Sequence, residues 1–154
     1  MKLLSSAIGS ISNSHKISNT FKSSGTKTVS MSTISNYFKY LQESFMIQKA
    51  ERYDIKGRKY ISTPSKYYYT DLGFRNALFN FRQFKETNLM ENAIYNELIY
   101  RGYCVNVGLI ELRMPDNGKM LKKQYEVDFV VNQASRRYYI QSAFTLSHQE
   151  KVDQ

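Results

Sequence analysis

Along the chain the apolar positions change period twice, and each change marks a new kind of element. Lys2–Ile8, ended by Gly9, is a first short helical candidate. Ser12–Lys16 supplies capping residues before a second, with Ile17 and Phe21 on one face and Gly25 as its stop. The third is the strongest. Ser30 or Ser32 can cap it, Ile34, Tyr37 or Phe38, Leu41 and Phe45 recur at spacings of three and four, and Ser35, Asn36, Lys39, Gln42 and Glu43 lie opposite. The aromatic stripe Tyr37, Phe38, Leu41 and Phe45 is expected in the core. The period then falls toward two: Met46–Tyr53 predicts a strand, and Asp54–Gly57 a turn with Gly57 at positive φ. Arg58–Ile61 predicts a return strand that Pro64 interrupts and Lys66–Tyr69 resumes. Three helices followed by a basic hairpin form the pattern of a winged helix-turn-helix.

Thr70 and Asp71 cap a predicted helix over Leu72–Phe81, and the polar run Gln83–Asn88 makes a boundary. Leu89–Arg101 is a second clear helix, with Gly102 placed for a left-handed cap. Four strands are predicted after it, at Tyr103–Val107, Leu109–Arg113, Gln124–Val131 and Tyr138–Phe144, with Pro115–Gly118 turning between the middle two. Residues 147–154 are polar and begin a further helix. The expected organisation is therefore α+β, with a winged helix-turn-helix over residues 1–82 and an α/β domain over residues 83–154.

Charge sharpens this division. Residues 1–80 hold 12 Lys and Arg against 4 Asp and Glu, a net +8, whereas residues 81–154 hold 10 against 9, a net +1. A basic module beside a neutral one is the footprint of a nucleic-acid-facing unit. It is equally what a solvated basic face would carry. Lys39, Arg52, Lys56, Arg58 and Lys59 are the candidate phosphate contacts, and Ser35 and Asn36 the candidate base-edge contacts if their helix enters a major groove of duplex DNA. With one cysteine and two histidines, neither a disulfide nor a Cys/His zinc site fits within one chain. Cys104 reads as a buried strand residue. No run approaches the roughly 20 apolar residues of a membrane span, and no secretory signal is legible, which points to a cytoplasmic protein without a membrane partner.

Two constellations bear on chemistry. Ser23–Thr28 resembles the tail of a phosphate loop, but Thr26 and Phe21 stand where its glycines belong, so ATP binding by that route is not expected. The second is acidic. Glu91 lies on a helix, Glu126 and Asp128 alternate about Val127 on a strand, and Gln141 and Ala143 share a face of the next strand. A helix carboxylate, a strand carboxylate and a following Glu/Gln-x-Lys strand is the arrangement of the PD-(D/E)xK nuclease superfamily, whose chemistry uses Mg²⁺ and a lysine beside the attacking water. Glu91, Asp128 and Gln141 are the candidate metal ligands, and Ala143 stands where the lysine would be. The same acids on a solvent face would pair with Lys122, Lys123 or Arg137.

Six blocks taken in order, Ser10–Asn19, Thr33–Leu41, Arg52–Gly57, Ser65–Gly73, Leu89–Leu98 and Glu126–Val130, resemble the C-terminal region of predicted AAA-type ATPases carrying domain of unknown function 4143. The resemblance covers nearly the whole chain. It implies a winged helix whose recognition position is Thr33–Phe45, then a truncated restriction-endonuclease-like core holding Glu91, Asp128 and Gln141. It also implies a separate ATPase domain as partner, here absent, and no cofactor beyond Mg²⁺ at a vestigial site. The expected function is a non-catalytic DNA-binding or regulatory module. The alternatives are a metal-dependent nuclease and a platform docking on an ATPase ring.

Overall fold

The structure, a computed structural model, describes residues 10–23, 29–82, 86–116, 119–143 and 145. Within them lie four helices and one five-stranded sheet, an α+β fold. Helices α1 (Ser14–Ser23) and α2 (Met31–Glu43) precede a hairpin of β1 (Ile47–Asp54) and β2 (Lys59–Tyr69). Helices α3 (Leu72–Leu78) and α4 (Glu86–Tyr100) then lead to β3 (Cys104–Asp116), β4 (Lys119–Gln133) and β5 (Arg136–Ile140). The sheet order is β2-β1-β3-β4-β5. Every neighbour is antiparallel except β1 and β3, which run parallel through Arg52–Val107, Tyr53–Gly108 and Asp54–Leu109. Parallel strands need a long crossover, and the α3–α4 segment supplies it. The sheet thus runs across the boundary expected between residues 82 and 83.

Local chemistry explains most element ends. The Ser30 hydroxyl accepts from the Thr33 N–H at 3.1 Å and caps α2, and the Asp71 carboxylate does the same for Phe74 at 3.0 Å on α3. Gly102 closes α4 at φ +79°. Ile17, Ile34 and Phe38 of α1 and α2 pack on Ile47 and Tyr69, covering one end of the sheet. Helix α4 covers the opposite face, where Tyr95 joins Tyr68, Val107, Phe129 and Val131. Glycine 108 sits between the faces where no side chain fits: a Cβ there would lie 2.8 Å from Val127 Cβ and 2.9 Å from Val130 Cγ2.

Several expectations are corrected. Helix α2 ends at Glu43, so Phe45 is not its next core position; it takes φ 56° and is 81% exposed. Tyr37 is also exposed, because the packed stripe is Ile34, Phe38 and Leu41. In the β1–β2 turn Arg58, not Gly57, has positive φ. Glycine at 57 lets the turn close on itself: its N–H donates to Asp54 Oδ1 at 2.9 Å, and a Cβ would push that carboxylate aside. Strand β2 runs through Pro64, which lies between the ladder partners Ile61 and Lys66 on an edge strand, where no pairing N–H is lost. Strand β3 runs unbroken through Gly108 by a register shift against β4. Helix α3 stops at Leu78, three residues early, and Cys104 is exposed rather than buried. The candidate helices at Lys2–Ile8 and 147–154, the residues resembling a phosphate loop at 24–28, Phe144 and Asn117–Gly118 lie outside the described residues.

Candidate functional site

Alternation along β2 aims Lys66 and Tyr68 at the α4 side of the sheet, and helical spacing aims Glu91 and Tyr95 back at them. The ring of Tyr68 stacks on that of Tyr95 at 4.0 Å. Above this stack the Lys66 ammonium lies 2.6 Å from Glu91 Oε1 and 2.8 Å from Glu126 Oε1, and the Tyr68 hydroxyl donates to Glu91 Oε1 at 2.5 Å. The Lys66 side chain is only 5% exposed and that of Glu91 11%, while Glu126 reaches toward solvent. One lysine therefore joins two carboxylates from different elements in a largely dry pocket.

The electrostatics follow from burial and pairing. Burial works to lower the pKa of Lys66, but Glu126 and Glu91 outweigh it and hold the ammonium above the ordinary lysine value. Burial pushes the Glu91 carboxyl up, against the pull of Lys66 and Tyr68, and nearby Asp128 adds to the rise. Burial, then the charge of Glu91, drives the Tyr68 phenol far above the normal tyrosine range.

Asp128 is engaged elsewhere. Its Oδ2 accepts from Gln141 Nε2 at 2.9 Å, the Ser142 N–H at 2.7 Å and the Ser142 hydroxyl at 2.5 Å. It ties down the chain leaving β5. The expected trio is thus split: Asp128 and Gln141 meet each other, while Glu91 belongs to Lys66. On β4 the register shift lies between Val127 and Val130, where Asp128 sits, and the three hydrogen bonds from Gln141 and Ser142 occupy its Oδ2. A divalent cation does not fit this arrangement. Gln141 turns its amide donors to Asp128, and a lysine ammonium fills the space between Glu91 and Glu126. Among the described residues no three His, Cys, Asp or Glu side chains are grouped to hold a metal. The solvent-face pairings expected for these acids also differ: Lys122 pairs with Glu111 at 3.1 Å, and Arg137 donates to the Tyr53 hydroxyl at 2.7 Å.

The basic residues divide as well. Lys56, Arg58 and Lys59 are exposed at the β1–β2 turn. Facing them is the β3–β4 hairpin, and the two enclose an open groove of about 640 Å³ lined by Asp54, Lys56, Lys59, Glu111, Arg113 and Lys122. Its two acids are partly satisfied locally, Asp54 by the Gly57 N–H and Glu111 by Lys122, which with Gln124 holds that carboxyl below its usual range. Arg52 is not with this group: it is 8% exposed within the sheet, its Nε lacks a hydrogen-bond partner, and it cannot reach a phosphate without rearrangement. On α2, Asn36 is exposed, Lys39 pairs with Glu43 at 3.7 Å, and the Ser35 hydroxyl meets that of Ser14 at 2.6 Å.

Lys66, Tyr68 and Arg113 escape a reading of sequence alone, and Lys122 is expected there only as a partner for the acids. A signal for Lys66 existed, since an inward lysine in the run Ser65–Tyr69 demands a buried anion. No local signal pairs Arg113 with Lys56, because a parallel strand contact brings them together.

A family model described as domain of unknown function (DUF8612) matches residues 1–85. It is a different domain of unknown function from the one the motif blocks resemble. An uncharacterized protein of Haemophilus influenzae is 34% identical over 143 residues, 93% of this chain and 32% of the relative. The chain thus spans about a third of the length of the curated relative it matches. No solved structure matches. Among the described residues no helix is long and apolar enough to cross a membrane.

Proposed function

This chain belongs to the family of domain of unknown function 8612, and we propose that it is a non-catalytic, DNA-binding module of a larger cytoplasmic AAA-type ATPase. In this reading α1, α2 and the β1–β2 hairpin are a winged helix, and α4 with β3–β5 is a degenerate restriction-endonuclease-like core. The observation that carries it is the groove in which Lys56 and Lys59 of one hairpin face Arg113 and Lys122 of another. Converging cations on two rigid hairpins suit the phosphates of a duplex, which supply most of sequence-independent affinity. The lack of catalysis is supported by Lys66 between Glu91 and Glu126, and by Ala143 in place of the lysine that activates water. The ATPase partner rests on the motif resemblance and on a relative three times as long.

Fluorescence anisotropy of a labelled duplex at two salt concentrations tests the reading. Wild-type binding weakens with salt. In a variant carrying Lys56→Glu, Arg58→Glu and Lys59→Glu, the slope of log affinity against log salt falls by about 3, roughly 0.9 per lost phosphate contact. A folded wild type that does not bind at low salt, or a variant that binds as wild type does, refutes it.

A further inference from the structure

The sheet face opposite α4 carries a second feature. Tyr60 pairs with Tyr53, their rings edge to face at 5.1 Å. Arg137 lies over the Tyr53 ring at 4.5 Å, which places β5 residues 137 and 139 on the same side. Tyr139 pairs with Val130, and Val130 and Val127 flank Gly108, the partner of Tyr53. Two residues before Val127, Tyr125 joins this face, with the Lys123 ammonium 5.1 Å from its ring centroid. Tyr60, Tyr139 and Tyr125 are 56%, 53% and 39% exposed. Among the described residues, helices α1 and α2 cover the far end of this face, at Ile47 and Tyr69, while Tyr53 and Val130 are buried between the exposed rings.

The geometry points to a stacking platform for unpaired bases: this protein binds single-stranded nucleic acid across the face of Tyr60, Tyr125 and Tyr139, opposite the face to which alternation assigns the groove-lining Lys59, Arg113 and Lys122. The inference rests on the nucleic-acid reading above and names the kind of strand. Four strand spacings separate Tyr60 on β2 from Tyr139 on β5, about 19 Å, a span that takes several splayed bases. Charge selects the occupant. Lys123 lies by the Tyr125 ring and Arg137 interacts with Tyr139, so a cation accompanies two of the three exposed rings. Register places no carboxylate between Tyr60 and Tyr139, and the nearest acid on this face, Glu51, is held by Lys49 at 3.2 Å. Exposed aromatic rings interleaved with cations suit a chain of π-faces joined by phosphates. A duplex hides its base faces, so it can use the groove but not the rings.

The test compares anisotropy of a labelled oligo-dT strand of about ten nucleotides, within the usual site size, with that of a matched duplex at one salt concentration. Wild type is expected to bind the strand about ten-fold tighter than the duplex. Tyr60→Ala and Tyr139→Ala each weaken strand binding about ten-fold and leave duplex binding unchanged. Tyr60→Phe and Tyr139→Phe keep the ring and bind as wild type does. The chain has 13 Tyr and no Trp, so quenching of intrinsic tyrosine emission by the strand gives a second readout, reduced in the Ala variants. Both sites are exposed, and far-UV circular dichroism checks that each variant is folded. Equal or tighter duplex binding, or Ala variants that hold the strand as wild type does, overturns the platform and leaves the groove reading standing. Binding of neither nucleic acid overturns both.

Discussion

Replacing Lys66 by Met removes the cation but keeps the length and most of the volume of the side chain. Glu91 would then sit 11% exposed with only the Tyr68 hydroxyl to satisfy it. Breaking a buried pair by deleting one partner costs about 3–5 kcal/mol, because the survivor keeps its desolvation penalty. Glu126 adds little, since it can turn to water. The expected loss is a fifth or more of a typical net stability of about 5–15 kcal/mol. Glu91→Gln is milder, since the amide oxygen still accepts from Tyr68 and Lys66 still reaches Glu126; about 1–3 kcal/mol is expected. The double variant is the decisive arm. With neither charge in the pocket it should regain about 2–3 kcal/mol relative to the sum of the single losses. Urea denaturation followed by far-UV circular dichroism gives all four stabilities. A Lys66→Met loss below about 1 kcal/mol, or additive single losses, would show that the pair is not a buried unit and sink the account of the pocket.

Two further outcomes follow from the same side of the sheet. Lys66, Tyr68 and Tyr95, the last pushed up to about 12 by burial, all keep their protons in the fold beyond the pH at which the unfolded chain releases them. Stability present below about pH 9 is therefore lost as pH rises through the unfolded values of 10.0 and 10.5; urea midpoints between pH 8 and pH 11 check this, and a flat profile contradicts it. Asn92 closes the free edge of β2 by accepting from the Tyr69 N–H and donating to the Tyr69 carbonyl, both at 2.8 Å. Asn92→Ala removes the amide partner of the Tyr69 N–H and one of the two amides on the Tyr69 carbonyl, Asn96 keeping the other at 3.0 Å, and should cost about 1–3 kcal/mol in the same denaturation assay, an unchanged midpoint contradicting it.

What the sequence shows of this fold is what local rules control. The Ser30 cap, the stripe Ile34, Phe38 and Leu41, the β1–β2 hairpin and the Gly102 terminus each depend on residues a few positions apart. The misreadings share a different cause. Pro64 looked like a break because its edge position and the widened register around it depend on which strand lies beside β2. Tyr103–Val107 and Leu109–Arg113 read as two strands, but Gly108 leaves room for Val127 and Val130 and lets β3 run as one. Arg52 looked like a phosphate contact because its burial is set by a parallel neighbour 55 residues away, Val107. The candidate site divides in the same way. Lys56, Arg58 and Lys59 were legible as an exposed turn, whereas the choice of Lys66 as partner for Glu91 and Glu126 required the packed sheet.

The cluster also bears on whether the chain divides between residues 82 and 83. Lys66 and Tyr68 lie before that point, and Glu91, Tyr95 and Glu126 lie after it. Asn92 and Asn96 bind the Tyr69 carbonyl across the same point, and β1 pairs with β3. Cutting there strips Lys66 of both carboxylates, unstacks Tyr68 and exposes the inner edge of β1. A two-stranded hairpin is at best marginally stable alone in water, and α1 and α2 cover one of its faces only. Residues 1–82 alone are therefore expected to lack a cooperative urea transition, even though the family model ends close by, at residue 85. Mixing them with residues 83–154 should restore the transition through the shared cluster, and Lys66→Met in the first fragment should weaken that recovery. If residues 1–82 unfold cooperatively with the midpoint of the whole chain, that portion is independent and the cluster is a contact between finished domains. If they gain a transition only with their complement, the buried ion pair and the parallel strand join two halves of one folding unit.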